Sequence, residues 1–258
     1  MSSPPACGRQ AKAGIHRQVT VYPLDTIRYR CYCLGISAPS NPARDSMGSY
    51  VLRHMSTIAF IDGENFRFKC RSILTAAGIS VINWDAFDIP GLITTLTTPL
   101  SCTEHRFYAA KIETNPTTIE KSRALQEQQR RLKFRLEKNG CLFVTAGRVR
   151  AREGKDADGN PAIIFKEKGV DVRIAVDMVA FAADNKLDEA ILLSSDSDLQ
   201  PAIGELTRRG KRVVYVGFEG NLNKGMTFTS SRTIVISNKE VIARYNKAHP
   251  SDTQTMTK

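Results

Sequence analysis

From Thr57 to about Asn246 the chain keeps one rhythm, in which short and almost unbroken apolar runs alternate with segments of helical period. Strands that are apolar along their whole length need cover on both faces, which a parallel sheet between two helical layers supplies. The expected fold class is therefore α/β, a three-layer αβα sandwich with a central, mainly parallel, Rossmann-like sheet. Strands are expected at Thr57–Ile61, Ser80–Trp84, Arg106–Ile112, Cys141–Ala146, Glu189–Ser195, Arg212–Val216 and Thr233–Ile236. Helices are expected at Phe66–Ala77, Thr117–Lys138, Val170–Ala183, Leu199–Arg209 and Lys239–Asn246, with Gly78, Gly140 and Gly210 as stops. Thr117 or Thr118 should cap the long second helix, whose Leu125, Leu132 and Leu136 form its apolar stripe. Arg148–Lys168, with turn residues Asp156–Asn160, reads as a surface hairpin.

This places one folded domain at 55–246 and a polar C-terminal tail at 247–258. Residues 1–54 hold five of the 11 prolines and no sustained apolar period. They read as a basic tail without folded structure, or as the product of a start codon assigned upstream of Met55; a nucleic-acid-binding arm is the functional alternative.

Several function classes drop out. Apolar stretches such as Ile174–Ala183 are short and broken by Asp177, so no membrane span is expected. The six cysteines contain no CxxC pair and only four His are present, which argues against zinc modules. No apolar signal opens the chain, so a cytoplasmic location is expected. No GxGxxG follows the first strand and no GxxxxGK[ST] occurs, against a nucleotide cofactor. The net charge of +11 favours a polyanionic partner, although residues 1–54 carry +5 of it. A homo-oligomer is compatible with the sequence but not indicated by it.

Ligands of an open parallel sheet bind beyond the carboxyl ends of its strands. The residues that follow the strands here are acidic: Asp62-Gly63-Glu64-Asn65, then Lys168-Gly169-Val170-Asp171 at a helix start, then Ser194-Ser195-Asp196-Ser197-Asp198. Asp62, Asp171, Asp196 and Asp198 are expected to converge at one sheet edge. Clustered carboxylates repel unless a cation sits among them, and oxygen ligands without His or Cys suit Mg²⁺ or Mn²⁺. Such a site fits phosphodiester hydrolysis. Taken singly, the same acids also suit helix caps and turns. Asp62-Gly63-Glu64 lacks the second Asp that a haloacid-dehalogenase-type phosphatase needs after its first strand.

Three segments, FIDGENF (Phe60–Phe66), KGVDVRIAVDMV (Lys168–Val179) and ILLSSDSDLQPAIGELTRRGKRVVYVG (Ile191–Gly217), resemble the NYN domains, PIN-like metal-dependent ribonucleases that include the LabA-like proteins. The resemblance implies a PIN-like fold, hydrolysis of single-stranded RNA, and a metal pocket of Asp62, Asp171, Asp196 and Asp198. It further implies that Asn65 orients a water or a phosphate and that Lys168 contacts a phosphate. Ser195 stands where many members have Gly, so the backbone there can approach substrate differently. A non-catalytic RNA-binding or regulatory module of the same fold is the alternative. Asp177, six residues beyond Asp171 and about 120° round the helix, is expected to be a buried structural acid or an outer partner of the site, and Glu64 an outer partner.

Arg148 and Arg150 could clamp substrate if the hairpin overhangs the sheet edge. The long basic helix reads either as a solvated surface or as an RNA track, with Phe134 or Tyr108 for stacking. Trp84 is expected to pack at a strand end, His105 to be structural, and the core cysteines to be small buried residues.

Overall fold

The computed structural model describes residues 55–114, 116–155 and 159–248. The expected 1–54 tail and all but the first two residues of the 247–258 tail lie outside the described residues. Among the described residues seven strands occur: β1 (Thr57–Asp62), β2 (Glu104–Ile112), β3 (Cys141–Lys155), β4 (Pro161–Lys168), β5 (Glu189–Leu193), β6 (Arg212–Phe218) and β7 (Arg232–Ile236). The helices are α1 (Gly63–Ala76), α2 (Ile89–Thr97), α3 (Ile119–Lys138), α4 (Val170–Ala183), α5 (Gln200–Arg208), α6 (Lys224–Thr229) and α7 (Asn238–Ala248).

The strands make one sheet in the order β4-β3-β2-β1-β5-β6-β7. All neighbours run parallel except β3 and β4. The chain winds outward from β1 in one direction, returns at β5 and winds outward in the other. The carboxyl ends of β1 and β5 therefore flank a topological switch point.

Alternation along the strands builds a core on each face. Ala59 and Ile61 of β1 pack with Phe107, Phe143, Ile191 and Val214 against Phe66, Leu74, Leu92, Leu136 and Val241 of α1, α2, α3 and α7. Ile58 and Phe60 pack with Tyr108, Leu192 and Tyr215 against Ile174, Met178, Ile203, Leu206 and Met226 of α4, α5 and α6. This is the expected αβα sandwich.

Three local expectations need correction. Ser80–Trp84 is not a strand: both edges of β1 are taken by β2 and β5, and Val81 is 85% exposed. Trp84 accordingly sits in a turn rather than at a strand end, beneath the guanidinium groups of Arg67 and Arg71 at 4.7 and 5.6 Å from its ring centre. Helices α2 and α6 were not expected. Each starts on an acceptor side chain, Asp88 taking the N–H of Gly91 and Asn223 that of Met226. Thr118 does occupy the N-cap position of α3, yet its side chain makes no capping bond.

Gln126 and Gln129 of α3 donate to the carbonyls of Ile112 and Ala110, and Arg135 donates to those of Trp84, Asp85 and Phe87. Much of the basic charge on α3 is neutralised locally. Arg130 and Arg131 pair with Glu127, Arg131 also with Asp85, and Lys133 with Glu137. His105 lies within β2, where its Nε2 is 2.7 Å from Thr97 Oγ1. Cys70 and Cys141 are buried free thiols, and Cys102 is half-buried.

The hairpin is an extension of the sheet itself. β3 pairs with β2 as far as Val149, then continues with β4 alone to the rung Lys155/Pro161. At roughly 3.3 Å per residue, the two-stranded part projects about 20 Å beyond the carboxyl edge. A bulge in the β2–β3 pairing lies just before this arm, between the rungs Ala109/Thr145 and Lys111/Arg148, and Gly147 sits there with φ +67. A Cβ on Gly147 would stand 2.1 Å from the carbonyl oxygen of Lys168, so the close approach of β3 to the end of β4 requires glycine.

Candidate metal centre at the carboxyl edge of the sheet

The arm returns the chain to the switch point. After Lys168 a single residue, Gly169 at φ +87, turns it into α4. Asp171 falls in the first turn of that helix. It meets Asp196 and Asp198, which follow β5, and one oxygen from each of the three carboxylates lies within 4.8 Å of the others. Asp171 and Asp196 are half-buried, and Asp198 is exposed. Among the described residues, none of the three pairs with a Lys or Arg. Three hard, anionic oxygen donors open to solvent on one side fit Mg²⁺ or Mn²⁺.

The expected caps are present together with the cluster. Asp196 Oδ1 accepts the N–H of Asp198 at 3.0 Å, which starts the 3₁₀ turn Ser197–Leu199 leading into α5. Sequence reasoning could treat capping and ligation as rivals, but a carboxylate has enough lone pairs for both.

Asp62, the fourth expected member, lies behind this group and is not one of the three. It is buried at the end of β1, where it caps α1 through the N–H of Asn65 (3.1 Å) and accepts from Ser194 Oγ (3.2 Å). Burial, and then the charges of Asp196 and Glu64, raise its carboxyl above the usual range, against the two hydrogen bonds that lower it. Ser194 relays the contact, since its Oγ also accepts the N–H of Asp196 at 3.2 Å.

Asn65 and Ser195 are brought together, but with each other. Asn65 Oδ1 accepts from both the N–H (3.2 Å) and the Oγ (3.1 Å) of Ser195. From the opposite side Asn223 Nδ2 donates to the Ser195 carbonyl at 2.9 Å. The loop after β5 is thus clamped by the first turn of α1 and the loop after β6. The sequence did not single out Asn223; its Asn-x-x signature as the cap of α6 was the available signal.

Glu167 was also missed. It projects from β4 into a cavity of about 60 Å³ shared with Glu64, Arg67 and Gln129. Burial, then the charges of Asp62, Glu64 and Asp171, push its carboxyl up to about 7. Glu64 itself is exposed and lies 3.9 Å from Arg67.

Asp177 is the buried structural acid that its spacing suggested, accepting from Tyr108 Oη (3.0 Å) and Arg173 Nε (2.8 Å). The same bond corrects one expectation. Tyr108 is fully buried and cannot stack on RNA. Phe134, 68% exposed, keeps a free ring face. Lys168, Arg148 and Arg150 are exposed, on the arm beside the acidic group.

No curated protein matches the chain. A solved structure of a protein of unknown function, VPA0982 from Vibrio parahaemolyticus, is similar at 19% identity and a TM-score of 0.46. That similarity covers 72% of this chain and 96% of that one. No helix among the described residues is long and apolar enough to cross a membrane. The sequence model of the NYN domain matches residues 56–237, from the start of β1 to just past β7 and across every acidic segment described above, and the chain belongs to the NYN domain family.

Proposed function

We propose that this protein is a cytoplasmic, divalent-metal-dependent ribonuclease that hydrolyses phosphodiester bonds of single-stranded RNA. The observation that carries the reading is the convergence of Asp171, Asp196 and Asp198 at the switch point, within 4.8 Å and, among the described residues, unpaired with any Lys or Arg. These three would hold Mg²⁺ or Mn²⁺, with Asp62 adding negative charge behind them and fixing Ser194. A bound ion of this kind supplies Lewis acidity and lowers the pKa of water it coordinates. The chain's own residues do the positioning. Asn65 and Asn223 hold the Ser195 backbone, so the β5 loop presents Asp196 and Asp198 to Asp171 in a fixed arrangement. Lys168, Arg148 and Arg150 are the proposed phosphate contacts, and Ser195 is a positioning residue that lines the approach to the acids.

The test is cleavage of a labelled single-stranded RNA by the full chain with Mn²⁺, Mg²⁺ or EDTA, beside Asp196→Asn. Asn keeps the acceptor for the Asp198 N–H, so folding should persist while cleavage is lost. Cleavage that survives EDTA, or equal rates in Asp196→Asn, would refute the metal mechanism. RNA binding that ignores EDTA and yields no product would instead identify a binding module.

A further inference from the structure

The arm formed by β3 and β4 carries cations in a pattern that neither folding nor the acidic site explains. Its directly opposed residues Arg148/Lys168 and Arg150/Lys166 form two successive rungs. All four side chains are exposed, whereas Val149, Phe165 and Glu167 between them are half-buried. The inward residues face α3, since Phe165 lies under Lys121 (5.2 Å) and Glu167 shares a cavity with Gln129. The four cations therefore share the other face.

Like charges placed directly opposite each other across a strand pair destabilise it. Here two such rungs are stacked, and among the described residues none of the four cations has an acidic partner. Lysine on an edge strand guards against unwanted pairing, which would explain Lys166 and Lys168 on β4. It does not explain Arg148, which lies where β3 is still paired on both sides.

We infer that this ladder is a binding track for the sugar-phosphate backbone of single-stranded RNA, leading outward from the acidic site along the projecting arm. The proposal rests on the ribonuclease reading and assigns the substrate's path. Rungs two residues apart are separated by about 6.7 Å, a spacing that an extended single strand can follow phosphate by phosphate. The inner rung lies three residues from Asp171 in sequence, so the phosphate it holds is close to the one being cut. Outward on the same face Ile164, 45% exposed, offers apolar surface to a base. A cationic ladder one strand pair wide suits one flexible strand better than a rigid duplex.

The test is the salt dependence of binding, measured by anisotropy of a fluorescent uridine oligonucleotide in EDTA, where no metal-dependent cleavage occurs. The outer rung is removed in Arg150→Ala/Lys166→Ala. Each phosphate neutralised on a single strand contributes about 0.7 to the slope of log K against log salt, so the slope should fall by about 1.4. Between about 1 M and about 0.1 M salt that difference corresponds to roughly 25-fold in affinity. Lys138→Ala/Lys186→Ala, at the far edge of the sheet, should leave the slope unchanged. Thermal stability of the rung variant should equal or exceed that of wild type, because a repulsive pair is gone.

An unchanged slope in the rung variant, an equal fall in the far-edge control, or an equal fall on duplex RNA would overturn the assignment. Absence of any RNA binding at low salt would do so too. Cleavage assays run beside these separate the two ideas: a protein that cuts RNA but keeps its slope loses only the track. One that shows the slope change but never cuts loses only the nuclease reading.

Discussion

Replacing Glu167 with Gln should stabilise the metal-free protein at alkaline pH and leave it unchanged in acid. The carboxyl is half-buried on β4, and burial together with the charges of Asp62, Glu64 and Asp171 moves it from the ordinary 4.5 up to about 7. A carboxyl with a raised folded-state pKa favours the fold only while protonated. Its contribution is complete below its unfolded pKa and is lost as the pH rises through about 7. At about 1.4 kcal/mol per pKa unit, the move from 4.5 to about 7 sets an upper bound of about 3.5 kcal/mol. Partial solvent contact screens the charge, so about 1–2 kcal/mol is expected. Gln keeps an acceptor for the Ala110 N–H that Glu167 uses, so the substitution isolates charge from shape. Urea unfolding in EDTA should give equal stabilities near about pH 4, below the unfolded pKa, and a more stable variant near about pH 8. A difference of the same size at both values would refute the reasoning, because a packing effect does not titrate.

The remaining expectations concern the same edge. Mn²⁺ should stabilise the fold by about 2.7 kcal/mol at about a hundredfold excess over Kd, seen as a melting temperature that climbs with concentration, and Asp198→Asn should abolish the rise. Calorimetry showing the same rise in both proteins would remove Asp198 from the ion. Asn65→Ala strips both Ser195 bonds and should cost about 1–3 kcal/mol in urea unfolding, with a parallel loss of cleavage. Full activity in that variant would mean the clamp does not position the acids. Gly147→Ala meets both a positive φ and the Lys168 carbonyl, and should cost at least about 2 kcal/mol by denaturant titration. A neutral result would show that the arm's base can shift.

The alternation of buried runs and helices revealed the sheet because nearly every strand is covered on both faces. The Ser80–Trp84 segment has the same composition and failed because strand formation needs a free neighbour, which residue pattern does not report. Helices α2 and α6 are short and lean on their caps, so they carry little periodic signal. The acids were legible as a group because fold topology gathers whatever follows parallel strands. Their division of labour was not. Asp62 precedes a helix that starts one residue later, and its carboxylate turns back to cap it, while Asp171 sits past an αL glycine that caps nothing. Glu167 could have been found by extending period two through Ile163, Phe165 and Glu167, which puts an acid on an inward, apolar face.

Only Gly169 and Val170 separate the last cation of the arm from the first acid of the site. The left-handed Gly169 between them is where a lever linking the arm to α4 would pivot. If nucleic acid settling on the arm shifts Asp171, the ion and the strand become thermodynamically linked, and linkage is reciprocal. Mn²⁺ would then tighten RNA by the same factor by which RNA tightens Mn²⁺, and titrations in which neither changes the affinity for the other would exclude such a lever. In that arrangement an ion would be bound most firmly while nucleic acid occupies the arm, so the need for metal would follow the supply of RNA.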